Sequence, residues 1–314
     1  MAPSARLSVG PDAYRELFAP AIVAGGGEVV DIAAAEALLW AAPDDPDGLR
    51  GVLAEHGDHL RWVQLPWAGI EPYVEVLGAE GLGERTWTCG KGVYAEPVAE
   101  MALTLALAVM RGVDRYARAD RWRQDGELGV NLRGAKVGVL GGGGITEAFL
   151  RLLAPWGCDV SVSRNHPAPV PGAQRVLGPS QDEVDLVVAG ADLVVIALAL
   201  TPDTVGILDA RRLGLLHEGS VLVNVARGAH VVTDDLVAAL RTGDILGAGL
   251  DVTDPEPLPD GHPLWSLPNC IVTPHVGNTR RMAVPLLTER VTANVARWIA
   301  DEDLLGLVDP RAGY

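Results

Sequence analysis

Residues 139–146 read Val139-Leu140-Gly141-Gly142-Gly143-Gly144-Ile145-Thr146. The apolar run before them, 135–140, has the length of a buried strand, and 145–156 after them carry a helical pattern. A glycine turn between a strand and a helix is the setting in which Gly-x-Gly-x-x-Gly holds a dinucleotide. Small residues let the backbone close on the pyrophosphate, and the N–H groups of the helix N-terminus face its charge. In this register Gly141, Gly143, Gly144 and Ile145 make the contact, and Thr146 replaces the third glycine. The larger side chain is expected to loosen the helix against the strand and leave the phosphate contacts intact.

The alternation continues downstream. Strand patterns fall at 160–163, 191–198, 220–225, 248–252 and 270–273, with a helix at 235–242. That is a doubly wound nucleotide domain, with ligands expected at the carboxyl ends of its strands. Upstream, 36–41 and 60–65 are buried-strand candidates, and Pro43-Asp44-Asp45-Pro46-Asp47-Gly48 reads as a loop. Gly25-Gly26-Gly27 precedes a strand rather than following one, which suits a helix C-cap. Residues 95–118 read as one long helix, apolar nearly all round and so buried between domains or subunits. A tail helix covers 283–300. The expected fold class is α/β, with two doubly wound parallel-sheet domains. A Rossmann dinucleotide-binding domain, 95–281, is inserted in a flavodoxin-like substrate domain made of 1–94 and 282–314.

Composition bounds the function. The 314 residues suffice for two separate cores. Hydrophobic residues at 48% and charged residues at 21% make a globular balance rather than a disordered one. A net charge of −16 argues against nucleic acid, whose phosphates need a basic face. The longest apolar stretch, 193–200, is too short to cross a bilayer, and the N-terminus shows no secretory pattern. Cys89, Cys158 and Cys270 are odd in number and lack metal-like spacing, so free thiols in a reducing cytoplasm are expected. His56 and His59 share helical spacing without a third ligand nearby, and no metal site is expected.

Residues suited to chemistry cluster in the second half. About twenty residues past the glycine turn, an NAD site places an acid on the ribose 2′-hydroxyl. This chain carries Ser163-Arg164-Asn165 there. An arginine beside two polar side chains binds a 2′-phosphate through charge-assisted bonds, which favours NADP(H), with NAD(H) as the alternative. Further on come Arg227 in Asn224-Val225-Ala226-Arg227-Gly228, Glu256 in Asp254-Pro255-Glu256-Pro257, and His275 in Thr273-Pro274-His275-Val276-Gly277. An arginine to hold a carboxylate, a histidine to protonate a carbonyl and an acid beside it are what reduction of a 2-oxo acid requires. Singly, each has a bland reading as a surface arginine, a loop acid or a core histidine. Together, behind a dinucleotide turn, they read as one site.

In these motifs the chain resembles the D-isomer-specific 2-hydroxyacid dehydrogenases, and most of all their glyoxylate/hydroxypyruvate reductase branch. The resemblance is carried by Asp192-Leu193-Val194-Val195 through Leu200-Thr201-Pro202-Asp203-Thr204, by the Arg227, Glu256 and His275 motifs, and by Gly249-Leu250-Asp251-Val252. His262-Pro263-Leu264-Trp265 and the tail Val308-Asp309-Pro310-Arg311-Ala312-Gly313-Tyr314 extend it. It implies that Arg227 binds the substrate carboxylate and carbonyl oxygen. It further implies that His275 is the general acid of reduction and that Glu256 hydrogen-bonds its ring. By the same resemblance, N–H groups around Ala68 and Gly69 hold the carboxylate, and Trp40 and Trp67 belong to the substrate pocket. Asp251 would contact the nicotinamide carboxamide, and Leu198, Thr204, Val225, Ala226 and Gly277 would complete the cofactor contacts. The product would be a D-2-hydroxy acid, and a homodimer would form through 95–118.

Two rivals stand beside this reading. One is a dinucleotide-sensing regulatory protein on the same fold; the other is a reductase for a specialised 2-oxo acid. A formate-oxidising relative is disfavoured, because it would carry glutamine at Glu256. The chain also departs from the family pattern at Gly144, at Ala199 and at Val276-Gly277-Asn278-Thr279. Those departures bear on pocket shape more than on the reaction.

Overall fold

The computed structural model describes residues 5–80, 85–122 and 129–309, so the tail motif from Pro310 onward lies outside the described residues. The chain divides into two compact units, Met1–Tyr94 with Thr279–Tyr314, and Ala95–Asn278. The second changeover comes earlier than the 281/282 boundary expected from sequence. Thr279 is the N-cap residue of the last helix, and that helix belongs whole to the first unit.

The first unit contains β1 (Arg6–Gly10), α1 (Arg15–Ala24), β2 (Glu28–Val29), β3 (Ala37–Trp40), α2 (Pro46–His56), β4 (Trp62–Gln64), α3 (Val74–Glu80) and β5 (Thr86–Thr88). Its sheet is parallel in the order β2-β1-β3-β4-β5, which is the flavodoxin order. The strands alternate between two apolar faces. Leu38, Trp40, Val63 and Leu65 pack with Leu49 and Leu53 of α2 on one side. Leu7, Val9, Leu39 and Trp62 pack with Phe18 and Ile22 of α1 on the other. One expectation is corrected here: α2 begins inside the stretch read as a loop. Asp45 caps it by accepting the Gly48 N–H at 2.8 Å, and Pro46 takes the first helical turn, where its missing N–H costs nothing.

The second unit runs α4 (Ala95–Met110), α5 (Val113–Ala117), β6 (Lys136–Leu140), α6 (Gly144–Leu153), β7 (Asp159–Ser163), β8 (Arg175–Leu177), α7 (Gln181–Val188), β9 (Leu193–Ile196), α8 (Ala210–Leu213), β10 (Val221–Asn224), α9 (Thr233–Thr242), β11 (Gly247–Leu250), α10 (Pro263–Ser266) and β12 (Cys270–Val272). The parallel order β12-β11-β10-β9-β6-β7-β8 is the Rossmann winding with one further strand. Val137, Val139, Val160, Val195 and Val223 face Leu105 of α4 and Phe149 of α6. Leu140, Val194, Ile196 and Leu222 face Val187 of α7 and Leu236 of α9. Both faces are covered, so the strands read as apolar runs. The single helix expected over 95–118 is corrected to two: α4 stops at Met110, and Gly112 turns the chain with φ +58°.

The last helix, α11 (Arg280–Ile299), returns to the first unit. Its Asn294 is fully buried, donates to Gln64 Oε1 at 3.0 Å and accepts the Leu305 N–H at 2.8 Å. Gln64 Oε1 also takes the Thr88 hydroxyl at 2.8 Å, and Thr88 Oγ1 receives the Trp62 indole N–H at 2.8 Å. Every group in this buried chain has a partner, which ties the tail to the sheet.

Candidate active site

The winding of the second unit reverses between β6 and β9, where such sheets bind their ligands. Gly141 ends β6 with φ +108°, and a Cβ there would lie 2.3 Å from Ala197 O, so only glycine lets the turn pass the end of β9. Gly143 is the N-cap residue of α6 and supplies no side-chain cap, while Gly144 behind it is exposed. A Cβ on Gly143 would meet nothing within 4 Å. Open space thus lies over uncapped helix N–H groups, which fits a pyrophosphate. Ile145 is half-buried against the core. Thr146 does not loosen the helix as expected. It is fully buried, and its hydroxyl donates to Gly141 O at 2.7 Å, so it fastens the turn.

Arg164 lies across this turn: its Cδ would be 2.7 Å from a Cβ on Gly142. Asn165 beside it is exposed. Ser163 is placed differently from the sequence reading, being 4% exposed with its hydroxyl donated inward to Gly178 O at 2.9 Å. Leu198 is half-buried against the core. The Thr204 hydroxyl closes its own turn, accepting the Thr201 N–H and donating to Ala199 O, both at 2.9 Å. Thr204 therefore shapes the loop after β9.

Arg227, Glu256 and His275 stand on the loops that follow β10, β11 and β12. Buried Asn224 shapes the first loop, accepting the Ala226 N–H at 3.1 Å and donating to Arg227 O at 2.8 Å. Val225 and Ala226 are buried. Gly228 meets the Glu256 loop so closely that a Cβ would lie 1.9 Å from the carbonyl of Thr253. His275 Nδ1 is 2.7 Å from Glu256 Oε1, and both side chains are about half exposed, at 50% and 42%. The structure thus brings histidine and glutamate into direct contact and seats the arginine's loop on the glutamate's.

The Asp251 carboxylate is buried and partnered within the chain. The residue is 3% exposed, and its carboxylate accepts from Thr273 Oγ1 at 2.5 Å, Val276 N–H at 3.0 Å and Gly277 N–H at 2.7 Å. These donors all belong to the loop of His275. Sequence reasoning also missed His230, a fully buried histidine three residues past Arg227. Its one signal was its place two residues past the arginine motif.

The first unit holds the remaining candidates. Trp40 is 2% exposed and packs in the core of the first unit. Trp67 is half-buried, with its ring edge-on to Tyr94 at 5.5 Å. The loop 66–69 is pinned from outside: the Tyr94 hydroxyl donates to Pro66 O at 2.6 Å, the Gly90 N–H to Trp67 O at 2.7 Å, and the Cys89 thiol to Ala68 O at 3.7 Å. Burial pushes the Cys89 thiol and the Tyr94 phenol above their ordinary values, so both stay protonated donors. No hydrogen bond among the described residues uses the N–H of Ala68 or Gly69. Two unpaired donors on one short loop suit an anion.

Residues 101–277 match the family model for the NAD binding domain of D-isomer specific 2-hydroxyacid dehydrogenases. The chain belongs to that family. Its sequence is 30% identical over 286 residues to glyoxylate/hydroxypyruvate reductase A of Serratia proteamaculans, covering 88% of this chain and 87% of that protein. It is 32% identical over 257 residues to the human glyoxylate reductase/hydroxypyruvate reductase, covering 79% and 76%. Among solved structures, a D-isomer specific 2-hydroxyacid dehydrogenase of Xanthobacter autotrophicus in complex with NADPH and MES superposes with a TM-score of 0.82. Sequence identity to it is 29%, over 99% of this chain and 100% of that one. The chain is thus an oxidoreductase of the glyoxylate/hydroxypyruvate reductase branch. Its family is one of nicotinamide-dependent dehydrogenases and reductases. Among the described residues no helix is long and apolar enough to cross a membrane.

Proposed function

We propose that this enzyme reduces a small 2-oxo acid of the glyoxylate or hydroxypyruvate class to the D-2-hydroxy acid, with NADPH preferred over NADH. The observation that carries the reading is the 2.7 Å contact of His275 Nδ1 with Glu256 Oε1, on a loop that packs against the residue following Arg227. The Arg227 guanidinium pairs with the substrate carboxylate and steadies the carbonyl oxygen as charge builds on it. Glu256 accepts the Nδ1 proton of His275 and fixes the ring, leaving Nε2 to hand a proton to the carbonyl oxygen. The nicotinamide, when bound, supplies the hydride to the carbonyl carbon. Gly141, Gly143, Gly144 and Ile145 hold the pyrophosphate, and Arg164 with Asn165 receives the 2′-phosphate.

A homodimer through 95–118 belongs to this reading, supported by the exposed Val113 and Tyr116 of α5. So does a cytoplasmic location, which suits three buried, unpaired cysteines. The deciding experiment offers NADPH or NADH with glyoxylate, hydroxypyruvate, pyruvate and phenylpyruvate and follows the near-ultraviolet absorbance of the reduced nicotinamide. Turnover that falls about 100-fold or more in His275→Ala is the expected result. A folded, cofactor-binding protein that turns over none of the four overturns the proposal.

A further inference from the structure

His230 is a buried titratable residue that the reaction as described does not use. It ends the short turn Gly228–His230 after Arg227 and is 0% exposed. Its ring stands between two loops. Nδ1 lies 3.3 Å from the Arg227 N–H nitrogen and 3.0 Å from Arg227 O, and Nε2 lies 3.3 Å from Ala199 O. The Nδ1 edge of the ring thus lies against the Arg227 backbone and the Nε2 edge against Ala199 O.

The two loops are those that follow β9 and β10. Their backbones already join, with the Gly206 N–H donating to Ala229 O at 2.8 Å and the Leu208 N–H to His230 O at 2.9 Å. Ala199 O also receives the Thr204 hydroxyl at 2.9 Å. His230 is the side-chain brace between the backbone of Arg227 and the loop that starts beside the glycine turn. A flat ring with a nitrogen at each end fixes that spacing more rigidly than a flexible side chain.

We infer that His230 is a positioning residue for substrate binding: it holds the Arg227 backbone in register with the Ala199 loop and touches neither substrate nor cofactor. This rests on Arg227 as the carboxylate ligand. Losing one buried hydrogen bond at that backbone corresponds to a change of about 10-fold in an equilibrium constant.

The test compares His230→Leu, His230→Gln and His230→Asn in the full-length enzyme with NADPH. Readouts are KM and kcat for glyoxylate, the Kd of oxamate as a non-reducible mimic, and folding by circular dichroism. His230→Leu is expected to raise KM and the oxamate Kd about 10-fold. His230→Gln, which keeps an acceptor and a donor, is expected to restore most of that binding. If the leucine variant does not fold, His230→Asn, which reaches only one partner, carries the same expectation. Wild-type KM and Kd in whichever of these two folds overturn the inference. Arg227→Ala, run alongside, separates two failures. If it raises KM while the His230 variants do not, the brace is wrong; if it leaves KM unchanged, the arginine reading itself has failed.

Discussion

Asp251 and His275 are tied both through the main chain and through a side chain. The His275 N–H donates to Asp251 O at 2.8 Å, and the Asp251 carboxylate takes the Thr273 hydroxyl and the N–H groups of Val276 and Gly277 on either side of the histidine. The bracing matters because His275 has φ +53°, in the left-handed region that a non-glycine residue adopts at a cost. A buried carboxylate offering acceptors to three donors stabilises that conformation and so aims the imidazole.

Replacing Asp251 by Asn tests this directly. An amide keeps one acceptor oxygen and turns an NH2 toward donors that need an acceptor. The expected result is a folded enzyme whose kcat falls about 100-fold through misplacement of His275, with little change in cofactor affinity. Steady-state kinetics paired with NADPH titration by fluorescence would show it. A weakened NADPH Kd with kcat intact would instead assign Asp251 to the nicotinamide carboxamide.

Gly228 makes a second prediction. The contact of Gly228 with the Thr253 carbonyl is backbone against backbone, so no side chain can swing aside to admit a methyl group. Gly228→Ala must push the Glu256 loop away from the Arg227 loop. A loss of about 1–3 kcal/mol in stability is expected from the overpacking, together with a drop in kcat/KM of about 100-fold. Urea unfolding and oxo-acid turnover measure the two effects. Wild-type values in both would mean that the loops are free to separate without consequence.

The sequence was legible where a period or a turn carried the information. The apolar runs that became β6, β9 and β10 stood out because both their faces are buried, and the glycine turn stood out because Gly141 tolerates no side chain. β2 and β5, of two and three residues, are too short to show any period. The break at Gly112 was hidden because 113–117 are themselves helical, so the pattern resumes directly after the glycine. Among site residues, His275 and Glu256 were found from side-chain chemistry, and their contact follows. Asp251, Ser163 and Trp40 have buried side chains that the sequence did not foretell, for a common reason. Motif position tells which loop or strand a residue occupies, but the direction of a side chain depends on partners distant in sequence, such as Gly178 for Ser163.

A pH-dependent stability term sits away from the site. Arg212 is 5% exposed, and its Nε donates to Asp185 at 2.8 Å, while Arg211 grips the same carboxylate at 2.6 and 2.9 Å. Hydrogen bonds from Arg211 first, and then from Arg212, pull the Asp185 carboxyl down to about 2 from the usual 3.8. A depressed folded-state value stabilises the fold above about pH 4. That contribution fades as pH falls toward 2. Asp185→Asn should cost about 1 kcal/mol at neutral pH, because solvent screens the pair and Arg212 keeps its bonds to Ile207 O and Gln181. The gap to wild type should narrow on acidification through this window, as read by urea unfolding at a series of pH values. A gap that stays constant with pH would remove the ion pair from the account.

Cofactor choice is the last prediction, and it turns on Arg164. Its side chain crosses Gly142 at the mouth of the turn, where the acid of an NAD site would otherwise stand. A guanidinium there favours a 2′-phosphate and gains nothing from a bare 2′-hydroxyl, whereas a carboxylate does the reverse. Arg164→Asp should therefore raise KM for NADPH by at least about 10-fold, the loss of one charge-assisted bond, and lower KM for NADH. Because Arg164 follows β7 whereas Glu256 and His275 follow β11 and β12, kcat at saturating cofactor should hardly change. The opposite pattern, with NADPH still preferred and kcat reduced, would place the 2′-phosphate elsewhere and leave Arg164 as a cover for the glycine turn.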